Sequence, residues 1–109
     1  MMDQPTLFES KSAEVKKIVL YALGDFQSRK KVLADRELPL DRLRGAFKRA
    51  CEVFGVEELT DEGLAIALEK LGANVKKVPS FVAKHPFRVT VQSELAEKAT
   101  EFYENEIKE

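Results

Sequence analysis

Apolar residues recur at three- and four-residue intervals in three separate runs of this chain, and then the period changes to two. Val15, Ile18, Val19, Ala22, Leu23 and Phe26 form the first run; Leu43, Ala46, Phe47, Ala50, Cys51 and Phe54 form the second; Leu64, Ala67, Leu68 and Leu71 form the third. Each is the buried face of an amphipathic helix. Phe87-Arg88-Val89-Thr90-Val91 alternates instead, which suits a strand with Phe87, Val89 and Val91 inward and Arg88 and Thr90 outward. The pattern predicts a mainly α fold with a small β-hairpin, an α+β class.

Local signals set the expected boundaries. Residues 1–11 read as a loose lead-in around Pro5, with Ser12 as the N-cap of a first helix reaching about Phe26. Val32 to Leu38 suits a short extended piece, because Pro39 disfavours helix at the residue before it. Asp41 is positioned to cap the second helix, and Gly55 to stop it in a left-handed conformation. After a short turn, Thr60 caps a third helix through about Leu71, with Asp61 and Glu62 at its positive end and Gly72 beyond it. Ala65 and Ile66 widen its apolar surface, so it is expected to be the most enclosed helix. Val75 to Val78 reads as a strand closed by Pro79, joined through the long Pro79–Pro86 loop to the alternating strand as a hairpin. Ser93 is the expected cap of a last helix over residues 92–109, on which Leu95, Ala99, Phe102 and Tyr103 face the core or a partner.

Size and composition bound the class. The chain has 109 residues, 44% hydrophobic and 34% charged, which fits one globular domain and argues against global disorder. No apolar run approaches the roughly 18 residues that cross a bilayer. Met1-Met2-Asp3-Gln4-Pro5 lacks the basic and apolar regions of a secretion signal. One cysteine forms no intramolecular disulfide and suits a reducing cytoplasm. No membrane partner and no cofactor are expected.

Charge is banded along the chain although its net value is only −1. Residues 27–54 carry eight basic and four acidic groups, and residues 73–91 carry four basic and none acidic. Residues 55–72 and 92–109 are each net −4. Fields depend on distribution, so a neutral total does not exclude a footprint for a polyanion.

The order helix, short strand, helix, turn, helix, hairpin, helix resembles the winged helix-turn-helix superfamily over about residues 12–91, with a C-terminal helix appended. Leu64-Ala65-Ile66-Ala67-Leu68-Glu69-Lys70-Leu71-Gly72 resembles the third helix and its stop, and Val75–Val78 with Phe87–Val91 resembles the wing. The resemblance implies a DNA-binding fold whose third helix presents polar or basic groups to the major groove. Here that helix offers Asp61, Glu62, Glu69 and Lys70, and carboxylates beside phosphate cost affinity. Phosphate contacts are therefore expected from the wing and from the approach to the second helix. The candidates are Lys76, Lys77, Lys84 and Arg88, with Arg42, Arg44, Arg49, Lys30 and Lys31. Phe81, near the wing tip, could stack or insert, or fold back over the core. A winged-helix protein–protein or assembly module without a nucleic-acid ligand is the alternative.

Catalytic and metal signals are weaker. Cys51 lies on an apolar stripe, where a free cysteine behaves as a small hydrophobe, and His85 sits in a loop before Pro86. Glu57, Glu58, Asp61 and Glu62 lack the alternating ligands and central glycine of a calcium loop. The five glycines are scattered and form no phosphate loop. A non-enzymatic binding protein is expected, without a metal site. A homodimer through Leu95, Ala99, Phe102 and Tyr103 is also expected, since so small a chain has little need of all four for its own core.

Overall fold

The computed structural model describes residues 7–79 and 87–107, with side-chain surroundings from residue 15 onward. In chain order the elements are α1 (Leu7–Ser28), β1 (Glu37–Pro39), α2 (Leu40–Phe54), α3 (Asp61–Lys70), β2 (Asn74–Lys77), β3 (Phe87–Thr90) and α4 (Ser93–Ile107). The fold is mainly helical with a small antiparallel sheet of order β1-β3-β2. The hairpin expected from the alternating segment is present, and β1 joins it through β3. Leu38, Val89 and Val75 stand in one register row and turn inward, with Val89 fully buried. Phe47, Leu68 and Val89 belong to one core, shared with Ile18, Leu23, Leu43 and Val91.

Helix boundaries depart from the expected caps in instructive ways. The first helix begins at Leu7, so Ser12 lies inside it; no glycine or proline stands between Pro5 and Ser12 to interrupt it. The second begins at Leu40 with Pro39 in the cap position, and Asp41 is in the first turn rather than capping it. β1 runs directly into this helix, whose first residue, Leu40, is buried in the core. Gly55 (φ 68°) is the expected left-handed stop of α2, and Gly72 takes a positive φ of 105° just beyond the end of α3. Thr60 caps α3 as its sequence implies, its hydroxyl accepting from the Gly63 N–H at 3.0 Å. Ser93 does not act as the expected cap: it opens α4, the Gln92 carbonyl accepts the first helical bond, and the Ser93 hydroxyl donates to Asp35 Oδ2 at 2.7 Å. Asp35 itself adopts φ 58° in the turn that brings Ala34 beside Val91.

The most enclosed helix is α1, not α3. From Ile18 to Phe26 every α1 residue but Tyr21 is buried, whereas Ile66 on α3 is 53% exposed. α1 packs against both α2 and α4, while Glu62, Ile66, Glu69 and Lys70 of α3 are exposed. Gln27 Nε2 donates to the Ala96 carbonyl at 2.9 Å, Gly24 lies against Ala99 and Tyr103, and Tyr21 meets Tyr103 edge-on at 4.9 Å. Falling numbers on α1 thus meet rising numbers on α4, so the two helices are antiparallel.

Candidate nucleic-acid interface

The residues proposed for phosphate contact fall into three groups. On the hairpin, register decides which face each side chain takes, because cross-strand partners share a face. Lys76 is directly opposite Arg88, which is directly opposite Pro39; this row lies on the solvent side, away from the row of Leu38, Val89 and Val75. Lys77 pairs with Phe87 on the other side, with its Nζ 5.5 Å from the ring centroid. The three described cations of the hairpin are therefore split between two faces, a division that period two dictates. Lys84, with Phe81, Val82 and His85, lies outside the described residues.

On α2 the basic residues have partners. Arg44 pairs with Asp61 at the start of α3 and, at 3.5 Å, with Asp41. Arg49 is held at Asp25 by two bonds, Nε to Oδ2 at 2.8 Å and a terminal guanidinium nitrogen to Oδ1 at 3.3 Å. Arg42 is exposed on the outer side of the helix. Lys30 and Lys31 follow α1; Lys30 has φ 65°, and Lys31 Nζ lies 5.9 Å from the Phe26 ring centroid.

Asp25 was not among the expected site residues, yet it organises this region. It is a charged group only 3% exposed, on α1, bonded by Arg29 Nε at 2.8 Å as well as by Arg49. Its signal in the sequence is a carboxylate seven residues after Ile18 on the apolar stripe, with an arginine four residues later. Burial alone would push its carboxyl pKa up; hydrogen bonds and positive charge from Arg49 and Arg29 outweigh this and hold it below the ordinary value. A carboxyl depressed in the folded state contributes stability that is fully present above the unfolded carboxyl range, near pH 4, and is lost as pH falls through the folded pKa. Asp25→Asn is expected to lower stability by about 1–3 kcal/mol at pH 7, because an amide nitrogen then faces guanidinium donors. The difference from wild type should shrink in urea melts taken toward pH 2.

Leu95 and Ala99 are buried against the same chain, and Phe102 and Tyr103 are half-buried. Leu95 and Ala99 are thus core positions of this chain, which leaves Phe102 and Tyr103 as the part-exposed members of the expected dimer surface. α4 takes this role because α1 offers Gly24 for close approach and Tyr21 for ring contact.

Cys51 is buried and its thiol pKa is pushed up by that burial, which keeps it a thiol. No group of three or more His, Cys, Asp or Glu side chains converges as metal ligands among the described residues, and no described helix is long and apolar enough to cross a membrane. Comparison with family models, curated proteins and solved structures finds no match to this chain.

Proposed function

We propose that this chain is a small, non-enzymatic, winged-helix-like domain that binds nucleic acid mainly through phosphate contacts from its hairpin, with exposed cations of α2 and the α1–β1 connection adding to them. The hairpin is the observation that carries this reading. Residues 73–91 contain four Lys and Arg and no Asp or Glu, and Lys76 and Lys77 stand exposed on the outer strand of the sheet. The helix–strand–helix–helix–hairpin–helix order and the sheet order β1-β3-β2 support the winged-helix assignment. Ion pairs made by exposed lysines are worth only about 0–1 kcal/mol, so the Lys76–Glu37 pair leaves Lys76 open to phosphate at a small cost. Arg49 is different. Its partner is buried and bonded to it twice, and it leaves the set of phosphate ligands.

Salt dependence tests the proposal, since each phosphate neutralised on duplex DNA adds about 0.9 to the magnitude of the logarithmic slope. Replacing Lys76, Lys77 and Arg88 together by Ala should flatten the slope by about 2–3 units and weaken binding alike on unrelated sequences. Glu69→Gln on α3 should leave binding unchanged or strengthen it. Absence of binding at about 50 mM salt would sink the nucleic-acid reading.

A specific observation favours a second reading. Glu62, Ile66 and Glu69 are exposed at i, i+4 and i+7 on α3, an outward line with an apolar centre and acidic ends. Such a face suits a protein partner better than a phosphate backbone. A protein–protein or assembly module is the reading that takes over if the DNA titration is silent.

A further inference from the structure

The solvent face of the sheet holds two like charges directly across from one another. Lys76 and Arg88 are register partners on neighbouring strands, where side chains stand about 5 Å apart at their Cβ atoms and like charges destabilise the pair. The adjoining row of the same face is Glu37, Thr90 and Asn74. Four of these residues, Lys76, Arg88, Asn74 and Thr90, supply hydrogen-bond donors; Glu37 is the one carboxylate among the residues of these two rows. Its Oε1 lies 3.4 Å from Lys76 Nζ, with both side chains largely open to water. The face is thus a cationic doublet set among neutral donors, half-neutralised by one anion from the chain itself.

We propose that Glu37 is an internal competitor of the phosphate backbone: its carboxylate occupies Lys76 in the free protein and is displaced when a phosphodiester docks on the outer face of the sheet beside Lys76 and Arg88. The inference rests on the nucleic-acid reading above and deepens it in two respects. It selects the face of the hairpin that meets phosphate, the side of Lys76 and Arg88 and not that of Lys77. It also makes β1, which has no net positive charge, the strand that tunes affinity. A bound phosphate relieves the Lys76–Arg88 repulsion that Glu37 only partly offsets, while Glu37 both holds one cation and repels the incoming anion.

The test uses the full chain and a 20-base-pair duplex of arbitrary sequence in low-salt titrations, with thermal melts to confirm that each variant is folded. Glu37→Gln keeps the size of an exposed side chain and removes its charge. It should tighten binding roughly two- to fivefold, the range that an exposed ion pair spans. In a Lys76→Ala background the same substitution should give a smaller gain, because the lysine it frees is absent. Lys76→Ala and Arg88→Ala should each weaken binding more than Lys77→Ala. Equal affinities for wild type and Glu37→Gln, with Lys76→Ala still weakening binding, would overturn the competitor and leave the phosphate reading standing. A dominant effect of Lys77→Ala would overturn the choice of face. Binding by none of these proteins would overturn both this inference and the function on which it rests.

Discussion

Leu68→Ala is expected to destabilise the protein by about 2–5 kcal/mol, read as a lower midpoint in a denaturant titration with an unchanged slope. Leu68 is fully buried on α3 and belongs to the same core as Phe47 and Val89, so it helps to connect the helical layer to the sheet. Truncation removes the transfer energy of the lost carbons and leaves a cavity that surrounding helices fill only in part. A loss under about 1 kcal/mol would mean that α3 sits at the margin of the core. The neighbouring Ile66→Ala, at a position 53% exposed, should cost much less, and that contrast isolates burial from helix content.

The second large effect is expected at Gly24. A Cβ built there would meet the Tyr103 Cβ at 2.3 Å and the Ala99 carbonyl oxygen at 2.6 Å. Neither atom is the loose end of a side chain, so α1 and α4 must move apart to admit one methyl group. Gly24→Ala should therefore lower stability by about 1–3 kcal/mol or more, even though alanine is the better helix former by about 1 kcal/mol. The Tyr21–Tyr103 edge contact next to it should loosen, with a change in the tyrosine near-ultraviolet circular dichroism. Gly45 supplies the control. It is exposed within α2, and its added Cβ would come no nearer than 3.6 Å to Arg49, an ordinary contact. Gly45→Ala is expected to raise stability by about 0.5–1 kcal/mol. Opposite signs for two helical Gly→Ala changes separate close approach from propensity.

Leu68 and Gly24 also differ in how far they could be read from sequence. The central place of Leu68 follows from its spacing from Leu64 and Leu71, because helical periodicity is a local property of the chain. The same reasoning located the amphipathic helices, the alternating strand and the glycine stops at Gly55 and Gly72. Gly24 carries no such signal: it is one glycine inside an apolar stripe until α4 is laid against it. Asp25 stands between these cases. Its position on an apolar face beside Arg29 hinted at a buried charge, but Arg49, the second partner, is 24 residues away.

For the candidate interface the division is similar. That residues 73–91 carry only positive charges, that α3 is acidic at its start and that a hairpin follows three helices is legible along the chain. Folding sets which of these charges have a partner within the chain. It tied Arg49 to Asp25, Arg44 to Asp61 and Lys76 to Glu37, turned Lys77 to the opposite face from Lys76, and assigned Leu95 and Ala99 to the core. The physical reason is range. Periodicity and capping act over a few residues along the chain and leave their mark in local sequence, whereas ion pairing, strand register and close helix approach depend on groups brought together only when the chain folds.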